Sequence, residues 1–149
     1  MGVIGAMLTD ILQGWGWTGA RPTAAVEVNK FGNVIFRAVD GAYWRICPEE
    51  LTCESIADSD EAFATLKQDT DFLEDWEMSR LVTVAEGRYG VQPPGRCFCL
   101  KIPAVLGGAY SVENVGTISI GELLRFSGDV AEQIKDLPDG AQVSFKFVD

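Results

Sequence analysis

Histidine is absent from all 149 positions of the sequence. Its absence removes the commonest general base at neutral pH, the Ser-His and Cys-His modes of nucleophile activation, and every histidine-ligated zinc site. Long apolar runs are absent too: none reaches the roughly 18 residues that would span a bilayer. Met1–Gly14 carries no Lys or Arg and a single charge, Asp10. It therefore lacks the basic segment of a secretory signal, and a cytoplasmic location is expected. The Walker phosphate loop, dinucleotide fingerprint, EF-hand loop and nucleophile elbow are missing as well. Cysteine is sparse. Cys47, Cys53, Cys97 and Cys99 do not make the dense framework of a small secreted domain, so reduced and mostly buried thiols are expected. Cys97 and Cys99 would share one face of a strand. A metal there would need Cys47 and Cys53 to converge on them, and ordinary strand thiols are the simpler reading. No metal and no cofactor is expected.

What is present suits one folded unit. The chain is 47% hydrophobic, which predicts a single α+β domain over 1–149: a mixed or mainly antiparallel sheet with helices packed against it. Residues 3–13 read as a short helix with Ile4, Met7, Leu8, Ile11 and Leu12 on one side. Trp15 and Trp17 follow as packing anchors. Strands are predicted over 24–29, 33–39 and 43–47, with Asp40-Gly41 as a two-residue type I′ hairpin turn, and 52–57 offers a fourth. Asp58-x-x-Glu61 resembles a capping box opening a helix with Ala62, Phe63 and Leu66 inward. Asp69 or Thr70 caps a second helix, read as continuous to Gly87–Gly90 and carrying Phe72, Leu73, Trp76, Leu81 and Ala85. Residues 96–102 alternate as a strand, and 105–115 reads as a loop. Ser119-x-x-Glu122 caps a last long helix, which Gly121 and Gly128 should weaken. A turn over 137–140 leads to a final strand over 142–147. Trp44, Phe72, Trp76, Phe126, Val143, Phe145 and Phe147 are the expected core aromatics and aliphatics.

Charge is the least even property. Twelve basic and twenty-two acidic residues give a net charge of −10. Between Glu49 and Glu77 stand eleven acids and one base, Lys67, so that stretch carries the whole imbalance. Helix capping and helix dipoles account for Asp58, Glu61, Asp69 and Asp71. They leave Glu49, Glu50, Glu54, Glu74, Asp75 and Glu77 without a local reason. Neighbouring acids such as Glu74-Asp75 arise by crowding and do not by themselves indicate an acid–base pair. A concentrated negative face speeds docking onto a basic partner and would repel nucleic acid directly.

Particular residues carry a resemblance. They begin with Phe31-Gly32-Asn33-Val34, Asp40-Gly41-x-Tyr43-Trp44 and Pro48-Glu49-Glu50. Ala57-Asp58-Ser59 with Phe63, Asp71-Phe72 with Trp76, and Pro94-Gly95 follow. The most specific block is Lys101-Ile102-Pro103-Ala104-Val105-Leu106-Gly107-Gly108-x-Tyr110-x-x-Glu113-Asn114-Val115. Ser127-Gly128-Asp129-x-Ala131-x-Gln133-Ile134-Lys135-Asp136-Leu137-Pro138-Asp139-Gly140 closes the set. From Phe31 onward the chain resembles the C-terminal domain of type VI secretion DNase-immunity proteins. The resemblance implies a non-enzymatic α+β domain that binds and blocks a toxin delivered between bacteria, and it brings no catalytic residues with it. Many members carry a further N-terminal domain, whereas about 30 residues precede the likeness here.

Together these readings predict an immunity protein in a 1:1 complex with a toxin whose active-site surface is basic, without direct nucleic-acid or membrane contact. Such a toxin would act on nucleic acid or nucleotides. Glu74, Asp75, Glu77, Asp60, Asp71, Tyr110, Glu113 and Asn114 are the expected contacts. The competing reading is a non-catalytic regulatory or adaptor module. A toxin domain encoded beside the gene distinguishes the two.

Overall fold

The computed structural model describes residues 2–137, with side chains from Met7. The expected strand over 142–147, with Val143, Phe145 and Phe147, and most of the turn before it lie outside the described residues. The architecture is α+β. Strands β1 (Pro22–Val28), β2 (Val34–Ala38), β3 (Tyr43–Cys47) and β4 (Thr52–Ala57) form an antiparallel sheet in sequence order. Helices α1 (Gly2–Trp15) and α5 (Ile120–Ile134) cover one face. Helices α2 (Asp60–Leu66) and α3 (Thr70–Glu77) cover the other. Helix α4 (Ser79–Tyr89) packs against a two-stranded antiparallel sheet of β5 (Arg96–Leu100) and β6 (Val115–Ser119).

Strand β2 is buried on both sides, so its alternation divides the interior between two cores. Val34, Phe36 and Ala38 join Met7, Ile11, Trp15, Ile46, Leu124 and Ala131. Ile35 points the other way, to Tyr43, Ala57 and Trp76. A third core of Phe31, Val82, Ala85, Phe98, Leu100 and Val115 joins α4 to β5 and β6. The Phe98 amide donates to the Lys30 carbonyl at 2.9 Å, which ties the small sheet to the β1–β2 connection.

Helices α1 and α5 approach until backbone meets backbone. A Cβ on Gly128 would lie 2.0 Å from the Gly14 carbonyl oxygen, and one on Gly14 would lie 2.3 Å from that of Leu124. A Cβ on Gly121, one heptad earlier, would meet the Asp10 carboxylate at 2.5 Å. The glycines that should weaken α5 are thus the ones that let α1 seat on it. Trp17 completes the contact by donating Nε1–H to the Gly128 carbonyl at 3.0 Å.

Several boundaries differ from the sequence reading. The β2–β3 connection is a three-residue loop rather than a type I′ turn. The Ala38 amide donates to the Ala42 carbonyl and the Gly41 amide to that of Ala38, and only Gly41, at φ +89°, is left-handed. That is the turn-plus-bulge hairpin, which also suits Asp-Gly. Ser59, not Asp58, caps α2, its hydroxyl accepting from the Ala62 amide at 3.1 Å. The helix predicted from Asp69 to Gly90 is broken at Met78, which adopts φ 48°, ψ 40° and closes α3 while opening α4. No Gly or Pro marks the break. The apolar spacing runs through it, yet Trp76 and Val82 belong to different cores. Strand β6 starts at Val115, the last residue of the segment read as loop, and runs through residues to which no strand was assigned. Phe126 is 41% exposed, whereas Trp76 is buried, and Trp44 and Phe72 are half-buried and stack on Phe36 and Trp76.

Two substitutions test this packing. Gly128→Ala raises helix propensity by about 1 kcal/mol, but its methyl group collides with the Gly14 backbone. A net loss of about 1–3 kcal/mol is expected, and a urea or thermal melt reads the sign directly. Trp76→Ala should cost about 3–5 kcal/mol. A Trp76→Ala variant that melts with wild-type stability while losing partner binding would move the residue from core to interface.

Candidate functional site

The site grows from the β1–β2 connection. The Asn29 carboxamide accepts from the Phe31 and Asn33 amides at 3.0 and 2.9 Å and donates to the Trp76 carbonyl at 2.9 Å. That arrangement fixes Asn33, which is fully buried. Asn33 Nδ2 donates to Glu49 Oε1 at 2.7 Å, while its Oδ1 accepts from Arg45 Nε and Nη2 at 3.0 and 2.8 Å. Arg45 lies over the Trp76 ring, 5.1 Å from its centroid, and its remaining Nη1–H donates to Asp75 at 2.6 Å. One amide therefore joins a buried acid on the turn after β3 to a nearly buried base on β3, and through it to an exposed acid on α3.

Around this network lies an open cleft of about 880 Å³. Its walls come from β3, the turn Pro48–Glu50, β4, the second half of α3, the start of α4, and Tyr110. Glu49, Glu50, Glu54, Glu74, Asp75 and Glu77 all line it. These are the six acids that the sequence reading left without a capping role. The lining also holds two bases, Arg45 and Arg80, and Arg45 is engaged by Asn33 and Asp75. Tyr110 donates its hydroxyl to Glu50, joining the far wall to the floor.

Burial raises the pKa of the Glu49 carboxyl, against the pull of the Asn33 hydrogen bond and the Arg45 charge. It also raises the Cys47 thiol in the same wall, with Glu49 adding to the shift. Burial pushes Cys53 and Cys97 up to about 12. Thiols in this state are a poor source of the thiolate that nucleophilic or metal chemistry requires. Among the described residues no group of His, Cys, Asp or Glu is placed to hold a metal ion. The arrangement suits recognition of cationic groups.

The structure brings Glu74, Asp75, Glu77 and Tyr110 together in the cleft. The other expected contacts stand elsewhere. Asp60 accepts from the Tyr43 hydroxyl at 2.8 Å and from Arg37 Nε at 3.2 Å, and those partners hold its carboxyl below the usual range. Asp71 is exposed in the first turn of α3. Glu113 is exposed in a 3-10 turn, Val112–Asn114, and Asn114 spends its amide on the backbone of its own loop. Sequence reasoning marked Glu49, Glu50 and Glu54 as acids without a capping role, the first two within a family-like motif, and named none of them as a contact. It did not find Asn33 or Arg45, whose part depends on strand register.

Glu49 provides a pH test. Its folded pKa is raised, so the folded state holds the proton more tightly than the unfolded chain. Its contribution to stability falls as pH rises from the ordinary carboxylate value through the folded pKa. Glu49→Gln, which removes the buried charge and can still accept from Asn33, should melt higher than wild type at pH 8. The gain should vanish near pH 4. Melts of both proteins at the two pH values check this, and an equal offset at both would refute it.

The chain matches the family model described as T6SS immunity protein Tdi1, C-terminal, over residues 57–131, half of its length. No curated protein sequence matches it significantly. Among solved structures it is similar to Atu4351 from Agrobacterium tumefaciens, with a TM-score of 0.56 and 16% identity over 81% of this chain. The match spans 62% of that longer protein, and at this identity the likeness is one of fold. The matched family segment runs from the end of β4 into α5 and takes in α3, α4 and the Tyr110 loop, so this chain belongs to the T6SS immunity protein family defined by the C-terminal region of Tdi1.

Proposed function

We propose that the protein neutralises one cognate type VI toxin by seating its acidic cleft on the basic substrate-binding surface of that toxin, in a 1:1 complex in the cytoplasm. The observation that carries this reading is the convergence of the six acids in one concave site. A toxin acting on nucleic acid or nucleotides presents Lys and Arg to phosphate groups. Carboxylates held at fixed positions are the protein counterpart of those phosphates. Among the described residues no helix is long and apolar enough to cross a membrane, and the acidic face disfavours direct contact with nucleic acid. The reading is of a binding protein rather than an enzyme.

An immunity protein must leave few toxin molecules free, so a sub-nanomolar complex of about −12 kcal/mol or tighter is expected. The test combines Glu74→Gln, Asp75→Asn and Glu77→Gln, with folding checked by melt. Against the catalytically inactivated toxin encoded by the adjacent gene, the triple variant should associate more slowly and lose most of its salt dependence. An acid that becomes buried against a base should add about 2–5 kcal/mol through faster dissociation. Wild-type rates at low and high salt would remove the cleft from the interface. Only micromolar binding of the unmodified protein would argue against the immunity assignment.

A further inference from the structure

We propose that the loop from Ile102 to Asn114 is the specificity-determining anchor of the toxin interface, with Tyr110 as its central contact. This rests on the reading of the acidic cleft as the toxin-binding face. The loop carries no regular strand or long helix, yet it is closed at both ends and along its length. The Lys101 amide donates to the Asn114 carbonyl at 2.7 Å, and the Ile102 amide donates to Asn114 Oδ1 at 3.0 Å. Asn114 Nδ2 donates in turn to the Ile102 and Ala109 carbonyls at 2.9 and 3.0 Å. The Gly107 and Gly108 amides close back on Ala104 and Pro103. The winding is tight enough that a Cβ on Gly108 would lie 1.8 Å from the Ile102 carbonyl oxygen. On the inner side Ala104 packs against the third core, and Tyr110 is tied to Glu50.

Three large apolar side chains of this well-held loop are exposed, Ile102, Val105 and Tyr110, at 42%, 55% and 49%, and of these Tyr110 lines the cleft. None of the three contributes to the buried cores. Holding them in place lowers the ordering cost of a later contact, which is the advantage of a preorganised binding loop. Tyrosine is also among the residue types that dominate interface energetics.

The occupant follows from position and charge. Tyr110 lines the acidic cleft itself. A basic surface that fills the cleft meets the Tyr110 ring. The complementary partner is a toxin surface on which an apolar patch adjoins a group of Lys or Arg residues. The two parts of the face then divide the task. Carboxylates common to many basic partners accelerate encounter, while the shape of the apolar loop sets dissociation and partner choice.

The experiment measures association and dissociation rates of Tyr110→Ala, Val105→Ser and Tyr110→Phe against the inactivated toxin of the adjacent gene, at low and high salt. Melts verify folding, and sedimentation gives the oligomeric state. Tyr110→Ala should dissociate about thirtyfold faster or more, with an association rate and salt dependence near wild type. Val105→Ser should change the rates in the same direction and by less. Tyr110→Phe keeps the ring and loses only the Glu50 tie, so it should retain most of the affinity. If it does, the ring rather than loop tethering carries the contact.

Wild-type dissociation for both Tyr110→Ala and Val105→Ser overturns this inference. The cleft reading survives that result if the triple acid variant still associates slowly. A wild-type dimer that these loop substitutions convert to monomer also overturns it, because the apolar residues would then cover a second copy. Failure of the unmodified chain to bind the toxin removes both readings.

Discussion

The acidic cleft depends on one carboxamide. Asn33 is completely buried and uses both ends of its side chain, donating to Glu49 and accepting twice from Arg45. Its backbone is held with equal care, since the Asn29 amide donates to its carbonyl and Asn29 Oδ1 accepts from its amide. A neutral amide can lie between a carboxylate and a guanidinium because it offers a donor on one side and an acceptor on the other. Without it, a buried acid and a nearly buried base would each lose a partner in surroundings where an unsatisfied charge costs several kcal/mol. Through this residue the β1–β2 connection fixes the cleft floor at Glu49 and, by way of Arg45 and Asp75, the helix that forms its wall.

The electrostatic character of the cleft follows from that arrangement. Six carboxylates converge on it while one of its two bases is already committed. Like charges gathered this way oppose folding, and neither capping nor solubility requires them in one place. Asp75 meets Arg45 within the cleft, and elsewhere Glu27 meets Lys67, Glu86 meets Lys30, and Asp10 meets Arg125. The cleft thus gathers six acids against two bases in one concavity, while the remaining acids are spread over the rest of the molecule.

Much of this was legible in the sequence, for reasons that can be named. Strands β2 and β3 showed in their alternation, and the Ser119 cap in its spacing from Glu122. Elimination of capping roles isolated the same six acids that the fold brings together. What escaped depended on distant contacts. Nothing near Met78 signals a helix break, because the two halves are drawn to different cores. Gly121 and Gly128 read as weaknesses until α1 lies against them. Phe126 has the composition of a core residue but sits on the outer side of α5's packed face. Asn33 belonged to a motif with a family likeness, yet its bridging role needs the register that places Arg45 opposite Ile35. Of the anticipated contacts, Asp60 and Asn114 have local partners that only the folded chain reveals.

The break at Met78 has a further consequence for α3. A helix carries partial negative charge at its C-terminal end, where cations are favoured. Helix α3 ends on Glu74, Asp75 and Glu77, with no basic residue in its last turn. The helix thus terminates against its own polarity, and the carbonyl groups of its final turn add to the negative potential of the cleft. Arg45 from β3 and Asn29 from the β1–β2 connection answer part of this, one pairing with Asp75 and the other donating to the Trp76 carbonyl. Any further cation held in the cleft and the firmness of the last turn of this helix would then be thermodynamically linked, each favouring the other.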